Sequence, residues 1–150
     1  MTALTITACV SYQPGTYNVQ REFTSALRSD EAASKIGEWL VRNGFVVTHS
    51  SNALVSATSS NLDQLQGYSY DGWKGVAFSS PVCDCGRKPI GLGMAGGQLS
   101  ISLRENTSTD SSGTIVLVNF APTVNNSFAI SCVSNGAIEN TLRALLQGGR

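Results

Sequence analysis

The sequence is poor in charged residues, and the two signs are balanced. Asp, Glu, Lys and Arg together make up 13% of the chain, with 10 basic residues against 10 acidic ones. A nucleic-acid interface needs clustered Lys and Arg to neutralise phosphates, and so does a polybasic membrane surface. The sequence has no such cluster, and its polarity comes from Ser, Thr, Asn and Gln instead. We therefore expect no nucleic-acid partner, and the composition fits a secreted or envelope protein.

Long apolar runs and catalytic residue sets are also missing. No stretch is long enough to span a bilayer as a helix. The single histidine, His49, falls in a predicted strand, where we expect it on the polar face. The stretch Gly67-Tyr68-Ser69-Tyr70 lacks the second glycine of a serine-nucleophile elbow, and no base is evident. The sequence therefore predicts a chain that is not an enzyme and has no catalytic residues.

Two patterns could suggest a cofactor, but neither has the required context. Gly91-Leu92-Gly93-Met94-Ala95-Gly96 has the glycine spacing of a dinucleotide-binding loop, yet a predicted strand follows where the phosphates would need a helix N-terminus. Cys83 and Cys85, even with Cys132 and His49, lack the spacing of a zinc knuckle. We predict no cofactor and no metal. An enzyme with a metal or thiol site at Cys83 and Cys85 is the third choice of function.

The hydrophobic pattern predicts one α+β domain, since 150 residues suit a single core. The predicted elements are a strand or the start of a helix at 17–27, a helix at 31–43, a hairpin of 45–49 and 53–58, strands at 98–103, 114–120 and 127–132, and a closing helix after residue 136. The apolar stripes of the helices are Ala33, Ile36, Trp39 and Leu40, then Ile138, Leu142, Leu145 and Leu146. Hairpin connections imply an antiparallel sheet packed by the two helices.

Residues 59–97 are rich in glycine and are predicted to form an irregular loop with one short strand at 73–79. The aromatic residues of this loop are Tyr68, Tyr70, Trp73 and Phe78. They could form a partner surface or plug the open face of the sheet, and we favour the plug. The acidic residues of the loop are Asp63, Asp71 and Asp84, which we expect to be solvated.

The first sixteen residues are predicted to be a tether or the remnant of a signal segment, with the domain occupying 17–150. Ile6-Thr7-Ala8-Cys9 resembles a lipobox, which makes Cys9 a candidate lipid anchor. The apolar stretch before it is too short for a signal peptide and lacks a basic start. The alternative is a strand, because apolar and polar residues alternate from Leu4 to Val10.

Four cysteines allow three pairings. An oxidising compartment would pair them, whereas the cytosol would leave thiols or metal ligands. Cys132 lies between a predicted strand and the closing helix, where a disulfide would tie that helix to an earlier part of the chain. Cys83 and Cys85 are both mid-chain candidates for the partner.

Two cysteine elements resemble a known group of proteins. Asp84-Cys85-Gly86, a following strand pair and Cys132-Val133-Ser134-Asn135-Gly136-Ala137-Ile138-Glu139 are similar to the Asp-Cys-Gly and Cys-x-Ser-x-Gly-x-x-Glu elements of an uncharacterised bacterial envelope lipoprotein family. That family in turn resembles the helix-grip modules of outer-membrane assembly lipoproteins. The resemblance implies a helix-grip-like fold, a disulfide between Cys85 and Cys132, and partner binding without catalysis.

The leading hypothesis is a non-enzymatic domain of the bacterial cell envelope, on the periplasmic side, which binds a protein or envelope partner. It would touch a membrane only through a lipid on Cys9. The alternative is a small-ligand or lipid carrier that uses a groove between the sheet and the long helix. Reduced cysteines would instead indicate a cytoplasmic protein.

Overall fold

The computed structural model describes residues 14–59, 77–79, 82–87, 94–107, 112–125 and 132–148. The lipobox with Cys9 and the aromatic residues Tyr68, Tyr70 and Trp73 lie outside the described residues, as does the side chain of Phe78. In chain order the elements are β1 (Glu22–Ser25), α1 (Ser29–Arg42), β2 (Val46–Ser50), β3 (Leu54–Ser59), β4 (Ala77–Ser79), β5 (Cys83–Arg87), β6 (Met94–Asn106), β7 (Gly113–Asn125), β8 (Val133–Ser134) and α2 (Ala137–Gln147).

Five strands form the main sheet, in the order β1-β7-β6-β3-β2 and antiparallel throughout. Its centre is the long pair β6 and β7, which stay in register from Met94 opposite Asn125 to Asn106 opposite Gly113. Alternation places one set of β7 side chains in the core, including Val116 and Val118 with no exposed surface. The predicted hairpin of β2 and β3 is confirmed, with a register shift between Val47 and His49.

Helix α1 packs on the inner face of the main sheet through the predicted stripe. Ile36 and Leu40 have no exposed surface, and Trp39 packs against the core while remaining half-buried. The helix begins at Ser29, two residues earlier than predicted, with the Arg28 backbone N–H donating to the Glu31 carboxylate at 3.3 Å. It ends before Gly44, whose φ of 75° is easily adopted without a Cβ.

Helix α2 closes the domain along β1, at the edge of the same sheet. Its buried apolar residues are Ile138, Leu142 and Leu146, whereas the predicted Leu145 is half-buried. The Ser25 hydroxyl donates to the Leu146 carbonyl at 2.8 Å, and the Gln147 side-chain amide donates to the Thr24 carbonyl at 3.0 Å. The chain is therefore a small α+β domain with two helices and a mostly antiparallel sheet, which confirms the predicted fold class.

A second, three-stranded sheet of order β4-β5-β8 lies where the sequence predicts an irregular loop. The prediction for 59–97 is wrong for two stretches, β5 and the first four residues of β6, whereas β4 falls inside the short strand predicted at 73–79. In β5 and β8, Cys83 is opposite Ser134 and Asp84 is opposite Val133. The predicted first strand is also too long, since β1 begins at Glu22 and residues 14–21 belong to no helix or strand.

Candidate functional site

An open groove lies where the main sheet, the small sheet and the N-terminal residues of the described chain meet. We call residues 14–21, which run into β1, the strap. The groove has a volume of about 400 Å³ and is lined by strap residues, by 120–122 of β7 and by 132–134 at β8. The groove is therefore bounded by the strap and by two later parts of the chain that are far from the strap in sequence.

One carboxylate, that of Asp84 in β5, holds the first half of the strap. It accepts a hydrogen bond from the Gly15 backbone N–H at 2.9 Å and another from the Tyr17 hydroxyl at 2.8 Å. The expectation that Asp84 is simply solvated is therefore wrong. The hydrogen bond to Asp84, followed by partial burial and the negative charge of the carboxylate, raises the pKa of Tyr17. Because Asp84 belongs to the Asp-Cys-Gly element, that element ties the strap to the small sheet.

The second half of the strap contacts α2 and β7. The Arg143 guanidinium donates to the Gln20 carbonyl at 3.0 Å while lying over the ring of Phe23, 5.8 Å from its centroid. The Arg21 carbonyl accepts a hydrogen bond from the Val118 backbone N–H at 2.9 Å. These contacts fix the strap at both ends and leave the groove between it and the small sheet.

Two large side chains of the groove lining are exposed: Tyr17 at 43% and Val133 at 37%. Pro122 adds a further apolar surface beside them. Arg21, also in the lining, is exposed and forms no ion pair with any other described residue. Exposed aromatic and aliphatic side chains beside a cationic one are typical of surfaces that bind other proteins.

The Cys-x-Ser-x-Gly-x-x-Glu element lines the groove with Cys132–Ser134, and its remaining residues form the start of α2. The Ser134 hydroxyl donates to Glu139 Oε2 at 2.8 Å and accepts from the Gly136 N–H at 3.1 Å. Asn135 Oδ1 accepts from the Ala137 N–H at 3.0 Å, which satisfies one of the unpaired donors of the helix N-terminus. Gly136 turns the chain with a φ of 89°. These residues form a capping structure at the N-terminus of α2.

Glu139 is completely buried in this structure. Its Oε1 has no hydrogen-bond partner among the described residues, whereas Oε2 has Ser134. Its place in the first turn of α2 is favourable for a negative charge because of the helix dipole. Ser134 is therefore the partner on which this buried carboxyl depends.

Two cysteine side chains are described near this groove: Cys132 belongs to its lining, and Cys83 lies in β5. Cys132 is disulfide-bonded, whereas Cys83 is a buried thiol outside any disulfide. The partner of Cys132 lies outside the described side chains. The register of β5 and β8 indicates which cysteine this partner is. Cys83 lies opposite Ser134, and Asp84 lies opposite Val133. If this register continues by one residue, the backbone of Cys85 lies opposite Cys132. The pairing of Cys85 with Cys132 stays a prediction that this register supports.

Sequence reasoning missed the strap, the groove and the exposed residues Tyr17 and Val133. The predicted partner surface (Tyr68, Tyr70, Trp73 and Phe78) cannot be located among the described side chains. The sequence contains only weak signals for the groove. Pro14-Gly15 disfavours regular secondary structure just before Tyr17, and Asp84 is an acidic residue in a stretch with few charges. No sequence pattern indicates that Asp84 contacts the residues around Tyr17.

The described residues contain neither a cluster of metal ligands nor a helix that could span a membrane. In that part of the chain no three His, Cys, Asp or Glu side chains lie close enough together to hold a metal ion. His49 is exposed on β2. Neither described helix has the length and apolar character needed to cross a membrane.

Comparisons with protein-family models, with curated proteins and with solved structures found no match to this chain. The resemblance to envelope lipoproteins therefore stays a prediction that rests on the two cysteine elements.

Proposed function

We propose that this chain is a non-enzymatic binding domain of the bacterial cell envelope, which takes a protein partner into the groove between the strap and the small sheet. The observation that carries the proposal is the pair of exposed side chains, Tyr17 and Val133, that line a groove of about 400 Å³. Burial of such side chains supplies much of the binding energy at protein interfaces.

The disulfide at Cys132 supports the envelope part of this proposal. Stable disulfides are typical of oxidising compartments and rare in the cytosol of mesophiles. The two elements that resemble envelope lipoproteins also meet beside this groove, since Asp84 of β5 binds the strap and Ser134 belongs to the groove lining. A helix-grip-like architecture, which the family resemblance implies, belongs to the same proposal.

A carrier function finds less support in the packing of α1. A lipid between the sheet and the long helix would need space beside Ile36 and Leu40, and both side chains are completely buried against the core. Interiors packed at this density leave little room for a ligand without displacing side chains. The exposed groove, in contrast, needs no rearrangement to receive a partner.

Site-specific photocrosslinking in the host tests the proposal. A benzoyl-phenylalanine at Val133 should give a discrete adduct with a second protein, whereas the same group at Val46 should not. Val46 is a matched control because it is a valine with 65% exposure on β2, away from the groove lining. With the purified partner, Tyr17→Ser should weaken binding about tenfold, the equivalent of ~1.4 kcal/mol. Equal adducts at both positions, or none at Val133, would overturn the proposal.

A further inference from the structure

The edge of β7 beside the groove is only partly covered by β1. β7 runs from Gly113 to Asn125 and pairs with β6 over its whole length. On the other side β1 pairs with Thr114–Leu117, and the Arg21 carbonyl extends this by one bond to Val118. Beyond Val118 the strap turns away toward Arg143 and Asp84. Within the described chain, residues 119–122 therefore have no strand partner on this side.

The hydrogen-bonding groups of this edge can be assigned from the ladder itself. In an antiparallel strand, successive residues direct their N–H and C=O groups to opposite sides. The Val118 N–H points to β1, since it donates to Arg21. Phe120 must therefore direct both its N–H and its C=O to the groove side, and Pro122 its C=O. The odd-numbered residues of β7 direct their backbone N–H and C=O groups to β6.

Pro122 fits this assignment, because proline has no N–H to donate and is tolerated at a sheet edge. The Phe120 side chain points elsewhere: it is 5% exposed in the core. Its ring lies over Gly97, where an added Cβ would come within 2.6 Å of Cε2. At residue 120 the groove therefore meets polar backbone and not an aromatic ring.

We infer that the partner enters the groove as a short extended segment that adds a strand to β7, in line with β1. This inference rests on the proposed binding function and specifies its mode. The segment would exchange hydrogen bonds with the Phe120 N–H and C=O and with the Pro122 C=O. Edge strands with unpaired backbone groups are templates for this mode of recognition.

The groove also defines the chemistry of the segment. Tyr17 and Val133 offer contacts to an apolar side chain, and Arg21 is an exposed cation without a described ionic partner. A segment of alternating apolar residues with one carboxylate near Arg21 matches this lining. Pro122 has no backbone N–H, so the donors on this edge of β7 end before residue 122. The added strand is therefore limited to a few residues.

Amide exchange measured by NMR tests the inference on the wild-type chain. The probe is a synthetic octapeptide chosen from a displayed random library for binding to the purified protein. In the free protein the Phe120 amide should exchange fast and the Val118 amide slowly. With the peptide at saturation, the Phe120 amide should slow at least tenfold and the Val118 amide should stay unchanged.

A variant supplies a second measurement. Pro122→Thr adds a donor to the edge and should tighten binding of the peptide about fivefold, as one extra hydrogen bond of ~1 kcal/mol does. Thr123→Ser is the matched control, because the N–H of residue 123 faces β6. A Phe120 amide already as slow as Val118 in the free protein would overturn the inference, as would a peptide that binds without slowing it.

These outcomes separate the binding mode from the binding function. If the library yields no binder, strand addition is overturned, while the crosslink at Val133 still decides whether a folded partner binds. If Tyr17→Ser weakens a peptide that leaves the Phe120 amide unprotected, the groove binds through side chains alone. That result would support the proposed binding function and overturn the inference of strand addition.

Discussion

Leu40 and Val41 are neighbours on α1 with opposite surroundings, which makes them a matched pair. Leu40 is completely buried and Val41 is 66% exposed. Leu40→Ala should lower the free energy of unfolding by about 2–5 kcal/mol, because it removes apolar contacts and leaves a cavity. Val41→Ala should change it by less than about 0.5 kcal/mol. Urea denaturation measures both; similar losses for the two variants would contradict the observed packing of α1.

Ser134 donates to one oxygen of the Glu139 carboxyl, which has no other hydrogen-bond partner among the described residues. Ser134→Ala should lower the free energy of unfolding by about 1–3 kcal/mol, because Glu139 then has no hydrogen bond from a described residue in its buried position. Ser50→Ala, at an exposed serine on β2, is the control and should be nearly neutral. In the Glu139→Gln background the serine substitution should have a different effect, since the two groups interact directly. Additive effects would argue against the hydrogen bond.

Tyr17 should titrate at a pH above that of an ordinary tyrosine. The hydrogen bond to Asp84 favours the protonated phenol and raises the pKa of Tyr17 above its ordinary 10.0. The folded-state pKa is thus the higher one, so the strap contact stabilises the fold below pH 10 and is lost as the pH rises through that pKa.

Ultraviolet absorbance of the phenolate measures this titration, and the difference between wild type and Tyr17→Phe isolates Tyr17 from the other tyrosines. In Asp84→Asn the pKa of Tyr17 should fall toward its ordinary value, because the carboxylate that favours the neutral phenol is gone. A Tyr17 pKa that is the same with Asp84 and with Asn at this position would contradict the contact.

At the scale of elements, two glycines in contrasting positions test how the helices are built. Gly136 precedes α2 with a φ of 89°, whereas Gly37 lies inside α1 with nothing within 4 Å of an added Cβ. Gly136→Ala should cost about 1–2 kcal/mol, the penalty of a left-handed conformation for an L-residue. Gly37→Ala should stabilise by about 0.5–1 kcal/mol.

Thermal or urea unfolding of both variants checks the signs. Stabilisation by Gly136→Ala would show that the turn before α2 adopts another conformation in solution. Destabilisation by Gly37→Ala would show that its face of α1 is covered by another part of the chain.

For the molecule as a whole, the main covalent constraint is the disulfide of Cys132. We expect its partner to be Cys85, which closes a loop of 47 residues (132 − 85). The chain-entropy model gives such a loop about 4 kcal/mol of stabilisation, a large share of the 5–15 kcal/mol typical of a domain. Non-reducing peptide mapping should find one linked peptide pair carrying these residues.

The buried thiol of Cys83 provides the control. It should resist alkylation in the folded protein and react after unfolding, because it is only 1% exposed. A Cys132 peptide linked to Cys9 would show that the pairing inferred from the strand register is wrong. Reduction should lower the free energy of unfolding by a similar ~4 kcal/mol.

The main sheet and both helices were predictable because their signals are local. The alternation in β3, β6 and β7 and the stripe of Ile36 and Leu40 lie within single elements, and the hairpins join neighbours in sequence. Of the small sheet only β4 lies inside a predicted strand (73–79). Its pairing with β5 and β8 was not predictable, since β4 and β8 have three and two residues, too short for a periodic pattern. The groove depends on a contact between Gly15 and Asp84, 69 residues apart, which no local pattern encodes.

The position of β1 affects the order in which the chain can fold. Its partner strand β7 begins at Gly113, and the Ser25 hydroxyl bonds to Leu146, 121 residues later. Chains emerge from the ribosome N-terminus first, so β1 is made well before β7 and remains unpaired until β7 has been synthesised. Contacts of such long sequence separation form slowly. The strap, the groove and the closing helix should therefore be completed together, as the last step of folding.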